Sequence, residues 1–323
     1  MDFHVLKACA LAAALAVPAP RAKAADAYPA RPIRSIMTVA GGADIIARLV
    51  AQGLTVSLGQ PVVVETQSGA GGAIGAENVA RAAPDGYTIM LTSASALVMN
   101  RFLSKSAHLD PLKDFTPITK AFETVALVVA SPSLPANSIR ELIEYAKRNP
   151  GKISYGTSGV GTTHHLSGES IRLLTGIDWV HVPYKGGPPV ITDLIAGEIQ
   201  VGFSILATAA PFIASGKIKI LAVNGARRYH VIPNVPTVSE QLAGYEPPST
   251  WGGYFGPAGM PQELVTRLHD AIVGVLDSPG VRAKAEDIGF PIATSTPEEL
   301  RATIRRDIEY TAGIVKAIGI KPE

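Results

Sequence analysis

The sequence predicts an α/β fold in two lobes. Apolar or β-branched runs alternate with helically spaced segments along most of the chain. Glycine-rich loops sit at the turns from strand to helix. A length of 323 residues suggests about two domains. Hydrophobic residues make up 47% and charged residues 17%, a balance that argues against disorder.

The elements follow in order. Ile33–Met37 is a short apolar strand, then a turn at Gly41-Gly42 and a helix from Asp44 to Leu58 with Ile45, Leu49 and Leu54 at helical spacing. Pro61–Glu65 contains three consecutive valines, a strong strand signal. A glycine loop over Gly69–Gly75 leads into a helix at Ala73–Ala82, and Pro84-Asp85-Gly86 turns the chain into a strand at Tyr87–Leu91. Val125–Ala130 is the next strand. Ser138 with Glu141 three residues on reads as a capping box opening a helix. A strand at Lys152–Tyr155, a glycine turn, a helix at Thr163–Thr175, a strand at Ile177–His181 and a helix at Pro188–Gly197 continue the alternation. Ile199–Phe203 and Ile218–Val223 are further strands. The last quarter is helical: Pro261–Leu276, a segment to Ile288 with Ser278 as N-cap and Pro279 at the first position, and a final helix to about Ile318 capped by Thr296 with Glu299.

The first 27 residues differ in kind. Lys7 precedes an apolar run from Ala8 to Val17, and Pro18, Pro20 and the small-residue site Ala22-Lys23-Ala24 follow. This is the order of a secretory signal peptide over residues 1–24, with cleavage expected near Ala24. A run of about ten residues is half of what a membrane-spanning helix needs. Cleavage removes three of the 29 basic residues (Lys7, Arg21, Lys23) and one of the 27 acidic (Asp2), leaving 26 of each. The formal charge of +2 therefore belongs to the leader. A neutral mature chain lacks the basic footprint of a nucleic-acid binder, so no nucleic acid is expected as partner. The one cysteine, Cys9, leaves with the leader, which removes disulfides and thiolate chemistry from the mature protein.

Three polar loops follow strands: Ala40–Asp44, Thr92–Ser95 and Gly156–Thr163. Strand ends that feed helix starts present unpaired backbone N–H groups, which suit an anion, and in open α/β sheets such ends line the ligand crevice. No Arg or Lys stands in these loops, which favours recognition by amides and hydroxyls; each loop taken singly also reads as an ordinary turn or cap. Other chemistry finds little support. Gly69–Gly75 has the wrong spacing for a dinucleotide loop, because Ile74 stands where the last glycine belongs. His164-His165 and His181 form no ligand-spaced cluster with a carboxylate, and a cap, core or cleft-border role fits them; no metal is expected. No G-x-S-x-G elbow occurs. Lys185 in Tyr184–Gly187 is isolated, and Trp179 and Trp251 read as packing residues.

From Tyr28 to the C-terminus the chain resembles the tripartite tricarboxylate transporter substrate-binding family, the Bug-type periplasmic receptors. The resemblance rests on YPARPIR at 28–34, ADIIARLVAQGL at 43–54, GAGGAIGAENVARAAPDGYT at 69–88, YGTSGVGTTHHLSGE at 155–169, HVPYKGGPPVITDLIAGEI at 181–199, VIPNVPTVSE at 231–240 and WGGYFGPAGMP at 251–261. It implies a type II periplasmic-binding-protein-like clamshell with a central cleft. Residues 28–128 and 226–323 would form one lobe and 129–225 the other, with hinges near Ala130 and Val223. It implies an exported periplasmic receptor that closes on a small organic acid and delivers it to the permease subunits of a tripartite tricarboxylate transporter. A monomer without cofactor or enzymatic activity is expected. The ligand residues carried over are Gly41, Gly42 and Asp44 in the first loop, Ser93 and Ser95 in the second, and Thr157, Ser158, Gly161, Thr162 and Thr163 across the cleft. Ser204 stands where the family commonly has an aspartate. The first loop is shorter than the family pattern and lacks its prolines, and Thr66-Gln67-Ser68 replaces N-R-P. An α/β enzyme would instead show turnover and a crevice residue of perturbed pKa, and a scaffold would have a filled crevice.

Overall fold

The computed structural model describes residues 28–38, 43–103 and 108–319. The leader with Ala24 and Cys9, and the loop residues Gly41 and Gly42, lie outside them. The chain first lays down β1 (Ile33–Met37), α1 (Ala43–Leu58), β2 (Val62–Thr66), a 3-10 turn (Ala70–Gly72), α2 (Ala73–Ala80), β3 (Thr88–Ser93), a π-turn (Ser95–Met99), α3 (Asn100–Leu103) and β4 (Phe115–Glu123). It then crosses to β5 (Ala126–Ala130), α4 (Ile139–Arg148), β6 (Ile153–Thr157), α5 (Thr163–Thr175), β7 (Trp179–Pro183), α6 (Gly187–Ala196), β8 (Val201–Ile205), α7 (Leu206–Ala214), β9 (Lys219–Val223) and α8 (Val238–Gln241). It returns through β10 (Trp251–Pro257), α9 (Gln262–Leu276), α10 (Pro279–Asp287) and α11 (Pro297–Ile318).

Two mixed sheets result, one per lobe, in the orders β2-β1-β3-β10-β4 and β7-β6-β8-β5-β9. In the first, β1, β2 and β3 run parallel and β10 inserts antiparallel between β3 and β4. In the second, β6 runs parallel to β7 and β8, while β5 is antiparallel to β8 and β9. Each sheet is covered on both faces, which explains strands such as β5 with no polar face at all. On the first sheet Ile46, Val50 and Leu54 of α1 and Leu268 and Ile272 of α9 meet one face; Val79 of α2 and Leu300 and Ile304 of α11 meet the other. On the second, Leu142 of α4 and Ile171 of α5 oppose Val190 and Leu194 of α6. Each large side chain buried this way contributes roughly 1.5–3 kcal/mol.

The two-lobed α/β prediction holds, with most element edges within one or two residues of expectation. Five elements escaped the pattern: α3, β4, α7, α8 and β10. β10 reads WGGYFGP, and glycines weaken a strand signal. Its glycines admit neighbours: a Cβ on Gly252 would collide with the Phe122 ring of β4. α7 carries Pro211 in its interior, ordinarily a stop signal. Two caps differ in detail. Ser138 accepts from Glu141 N at 3.1 Å, but the Glu141 carboxylate turns to Asn137 N at 2.7 Å rather than to the cap residue. Ser278 makes no cap bond; its hydroxyl donates to Val275 O at 2.7 Å. Thr296 and Glu299 do form the full reciprocal box.

The stretch after Val223 keeps contact with the second sheet's cores. Tyr229 packs into the α6 side of the second lobe, and Val238 and Tyr245 pack into its α4 side. The chain re-enters the first sheet only after Glu246. At that point the outward and return strands join: Thr124 N donates to Thr250 O at 3.0 Å, and Thr250 Oγ1 donates to Thr124 O at 2.9 Å. A further link is α11 of the first lobe, which packs against α5 of the second.

Candidate functional site

Parallel strands place their carboxyl ends along one edge of each sheet. On the second sheet these are Thr157 of β6 and the end of β8. The register Gly156 to Gly202 sets Ser204 level with Ser158. Thr162 caps α5, its Oγ1 accepting from His165 N at 3.3 Å and donating to Gly159 O at 2.9 Å. The first-turn amides of Thr163 and His164 remain outside the helix's own hydrogen bonds, and the positive end of the helix field lies with them. Ser204 is fully buried, and its hydroxyl has no partner among the described residues. The loop 184–186, singled out for Lys185, packs alongside: Tyr184 N donates to Thr157 O at 3.0 Å and Gly186 N to Ser158 O at 3.2 Å. Lys185 itself is exposed. Thr157, Ser158, Gly161, Thr162, Thr163 and Ser204 therefore gather at one end of one sheet.

Behind them stands a buried aromatic stack. The rings of His165 and His181 lie 4.0 Å apart at 12°, and Tyr155 stacks on His181 at 4.9 Å. The pieces are bonded to the loop: Gly161 N donates to His165 Nδ1 at 3.0 Å, His181 Nε2 lies 2.7 Å from Thr157 Oγ1, and His164 Nδ1 lies 3.2 Å from Ser158 Oγ. Burial pushes all three imidazoles down, His164 and His181 to about 4; proximity to His165 adds to the shift at His181. The stack is thus neutral at pH 7. Neutrality agrees with Gly161, since its N–H needs an unprotonated Nδ1. The Gly161 amide is therefore already engaged, which leaves the first-turn amides of Thr163 and His164 as the donors at this end of α5. Under the stack, Tyr155 OH donates to Glu169 Oε1 at 2.6 Å, and Arg172 holds the other carboxylate oxygen at 2.8 Å. Burial, then the Glu169 bond, raises the Tyr155 phenol far above its ordinary range. This supporting layer was not foreseen; the paired HH and the lone His181 were its only sequence signal.

On the first sheet, Thr38 and Thr92 end β1 and β3 and share a hydroxyl bond of 2.7 Å. Ser93 and Ser95 follow, half-buried, with Ser93 Oγ accepting from Ala96 N at 3.3 Å. Asp44 opens α1, and Arg48 grips both its oxygens at 2.7 and 3.1 Å. That pairing offsets the charge with which Asp44 would repel an anion. Within each lobe the expected residues share one end of the sheet, and no hydrogen bond among the described residues joins the two groups. Gly41 and Gly42 stand between the ends of β1 and α1, outside the described residues. Thr66–Ser68 carries no cation; Gln67 accepts from Asn78 at 2.8 Å and donates to Glu65 at 3.2 Å.

The joined crossing strands are pinned by α11. Asp307 accepts from Ser249 Oγ and from Trp251 Nε1, both at 2.7 Å, and burial raises its pKa. A groove of about 640 Å³ lies against the crossings and a second cavity of about 630 Å³ lies over Arg31, Arg34, Gln67 and Asn78; neither is lined by the expected site residues. Among the described residues no group of three or more His, Cys, Asp or Glu is placed to hold a metal ion, and no helix is long and apolar enough to cross a membrane.

Comparison with known proteins bears on the family and the fold. Residues 46–320 match the model of a tripartite tricarboxylate transporter family receptor, TctC. Protein BugT of Bordetella pertussis is 34% identical over 302 residues, covering 92% of each chain. Among solved structures, Rpa4515 of R. palustris with adipate superimposes with a TM-score of 0.79 at 32% identity, covering 92% of this chain and all of that one. MatC from Rhodopseudomonas palustris with bound malate gives a TM-score of 0.72 at 27% identity, over 89% of this chain and all of that one.

Proposed function

The chain belongs to the tripartite tricarboxylate transporter receptor family, and from that premise we propose that it captures a small organic carboxylate between its lobes in the periplasm and passes it to the membrane permease of such a transporter. The observation that carries the reading is the end of the second sheet: a capped helix start with free amides, ringed by hydroxyls, beside the buried and unpartnered hydroxyl of Ser204. A carboxylate taken from water needs several hydrogen bonds to offset its desolvation. Amides at a helix start provide them without a fixed cation. The two solved relatives hold adipate and malate, both dicarboxylates.

In this reading Ser158, Thr162, Thr163 and Ser204 face Asp44, Ser93 and Ser95 across the cleft, Thr157 and Gly161 hold the loop in shape, and Gly41 and Gly42 complete the first-lobe side. The lobes are 28–124 with 249–323 and 126–245, rotating about Thr124 and Thr250. Ligand favours the closed state only through contacts made better there. The working unit is a monomer, after removal of residues 1–24. A thermal-shift screen of the mature chain against mono-, di- and tricarboxylates tests the proposal. A saturable rise in Tm with at least one acid, weakened by Thr162→Ala, is expected; no shift with any acid overturns it.

A further inference from the structure

The groove of about 640 Å³ against the crossings is a different place from the carboxylate site. In the first sheet it is lined by Lys120 and Glu123 of β4 and by Trp251 of β10, whose neighbour Gly252 pairs with Ser93 of β3. In the second sheet it is lined by Ala126 at the start of β5, which pairs with Ile205 of β8, and by the segment that follows β9, three strands beyond β6. Both lobes build its walls. Gly225–His230 comes from the second, while Arg282 and Glu286 of α10 and Thr303 and Arg306 of α11 come from the first. Pro247, Pro248 and Pro291 stiffen the rim. The volume is that of an ordinary small-ligand pocket.

Its charge is unbalanced. Five side chains lining it are cations (Lys120, Arg227, Arg228, Arg282, Arg306) and two are carboxylates (Glu123, Glu286). Three of the cations are satisfied: Lys120 by Glu123 at 2.7 Å, Arg228 by Glu240 at 2.8 Å and Arg282 by Asp277 at 2.5 Å. Glu286 is engaged from the other lobe, 3.1 Å from His230 Nε2 and 3.3 Å from Tyr229 OH. Arg227 and Arg306 are left, one from each lobe, with no carboxylate at ion-pair distance among the described residues. Arg306 has a single bond to Thr303 Oγ1 at 3.3 Å. Asp307 beside it is turned to Ser249 and Trp251. A guanidinium presents a planar fork suited to carboxylate or phosphate oxygens. Two such forks, one contributed by each lobe to the same groove, match a compact polyanion.

We propose that this groove is a second ligand site, which binds a compact polyanion between Arg227 of one lobe and Arg306 of the other. The site does not depend on what the main cleft binds.

Inorganic pyrophosphate is the probe, at constant ionic strength made up with chloride. Trp251 lines the groove and is one of two tryptophans, so its emission in a Trp179→Phe background reports occupancy there. Pyrophosphate at millimolar concentration is expected to change that emission saturably. The Arg227→Ala/Arg306→Ala double variant should weaken the response about tenfold or more, since each charge-assisted contact is worth that much. Arg227→Lys/Arg306→Lys, with the fold checked by circular dichroism, should retain part of it. Ser158→Ala/Thr162→Ala in the main cleft should leave it intact. Absence of a saturable response, an unchanged response in the double alanine variant, or its loss in the cleft variant each overturns the proposal.

Discussion

His164 shows how far one side chain can be committed by its surroundings. It is buried at the start of α5, and burial holds its pKa near 4 against an ordinary 6.5. Between those values the unfolded chain binds a proton that the folded chain refuses. Stability is therefore complete above about pH 6.5 and falls as the pH drops through that window toward 4, by an amount on the order of 3 kcal/mol for this group. His181, titrating near 4 as well, acts in the same direction. Urea titrations at pH 7 and pH 5 should show a less stable wild type at pH 5, and His164→Asn should lose part of that difference. An unchanged pH slope in the variant would sink the assignment. The histidine pair was visible in the sequence, but its protonation state was not. That state is set by burial, which only the packing of α5 against its sheet creates.

At the scale of elements, α5 lies so close to β6 that Gly168 has no room for a side chain. An added Cβ would run into the Tyr155 ring, which is fully buried. Gly168→Ala should cost about 1–3 kcal/mol, as overpacking generally does. It should also displace the Tyr155–Glu169 bond, seen as a change in near-ultraviolet circular dichroism; a neutral substitution would mean that the helix can shift. The pin at α11 makes a second test. Asp307→Ala strands the buried Trp251 indole N–H, at a cost of about 1–3 kcal/mol, while the half-buried Ser249 hydroxyl can turn to water. Asp307→Asn keeps an acceptor and should lose less; equal losses in a urea titration would refute the pin. Elements of this kind were legible to different depths. Thr296 announced its helix because a cap depends on four consecutive residues. Asp307 announced nothing, because its partners lie more than fifty residues away.

For the whole molecule, the reciprocal pair at Thr124 and Thr250 ties the outgoing and returning segments together where the chain passes between the lobes. Small-angle scattering should show a smaller radius of gyration when a bound carboxylate saturates the mature chain. An unchanged radius would count against rotation about that pair. The two-lobed plan was readable from alternation and length, whereas the packing of the stretch after Val223 was not. The stretch after Val223 has few apolar residues, and only the burial of Tyr229, Val238 and Tyr245 shows which lobe holds it. The insertion of β10 between β3 and β4 has a consequence in time. As the chain emerges residue by residue, β3 and β4 are finished long before the strand that must lie between them exists. Every strand of the second sheet, by contrast, comes from one unbroken stretch ending at Val223. The second lobe can therefore assemble first, while the first waits with two open strand edges for residues 251–257. A chain halted before Trp251 should thus hold one folded lobe and one sticky, unfinished one, so that this interval of synthesis is the period in which the protein most needs a chaperone.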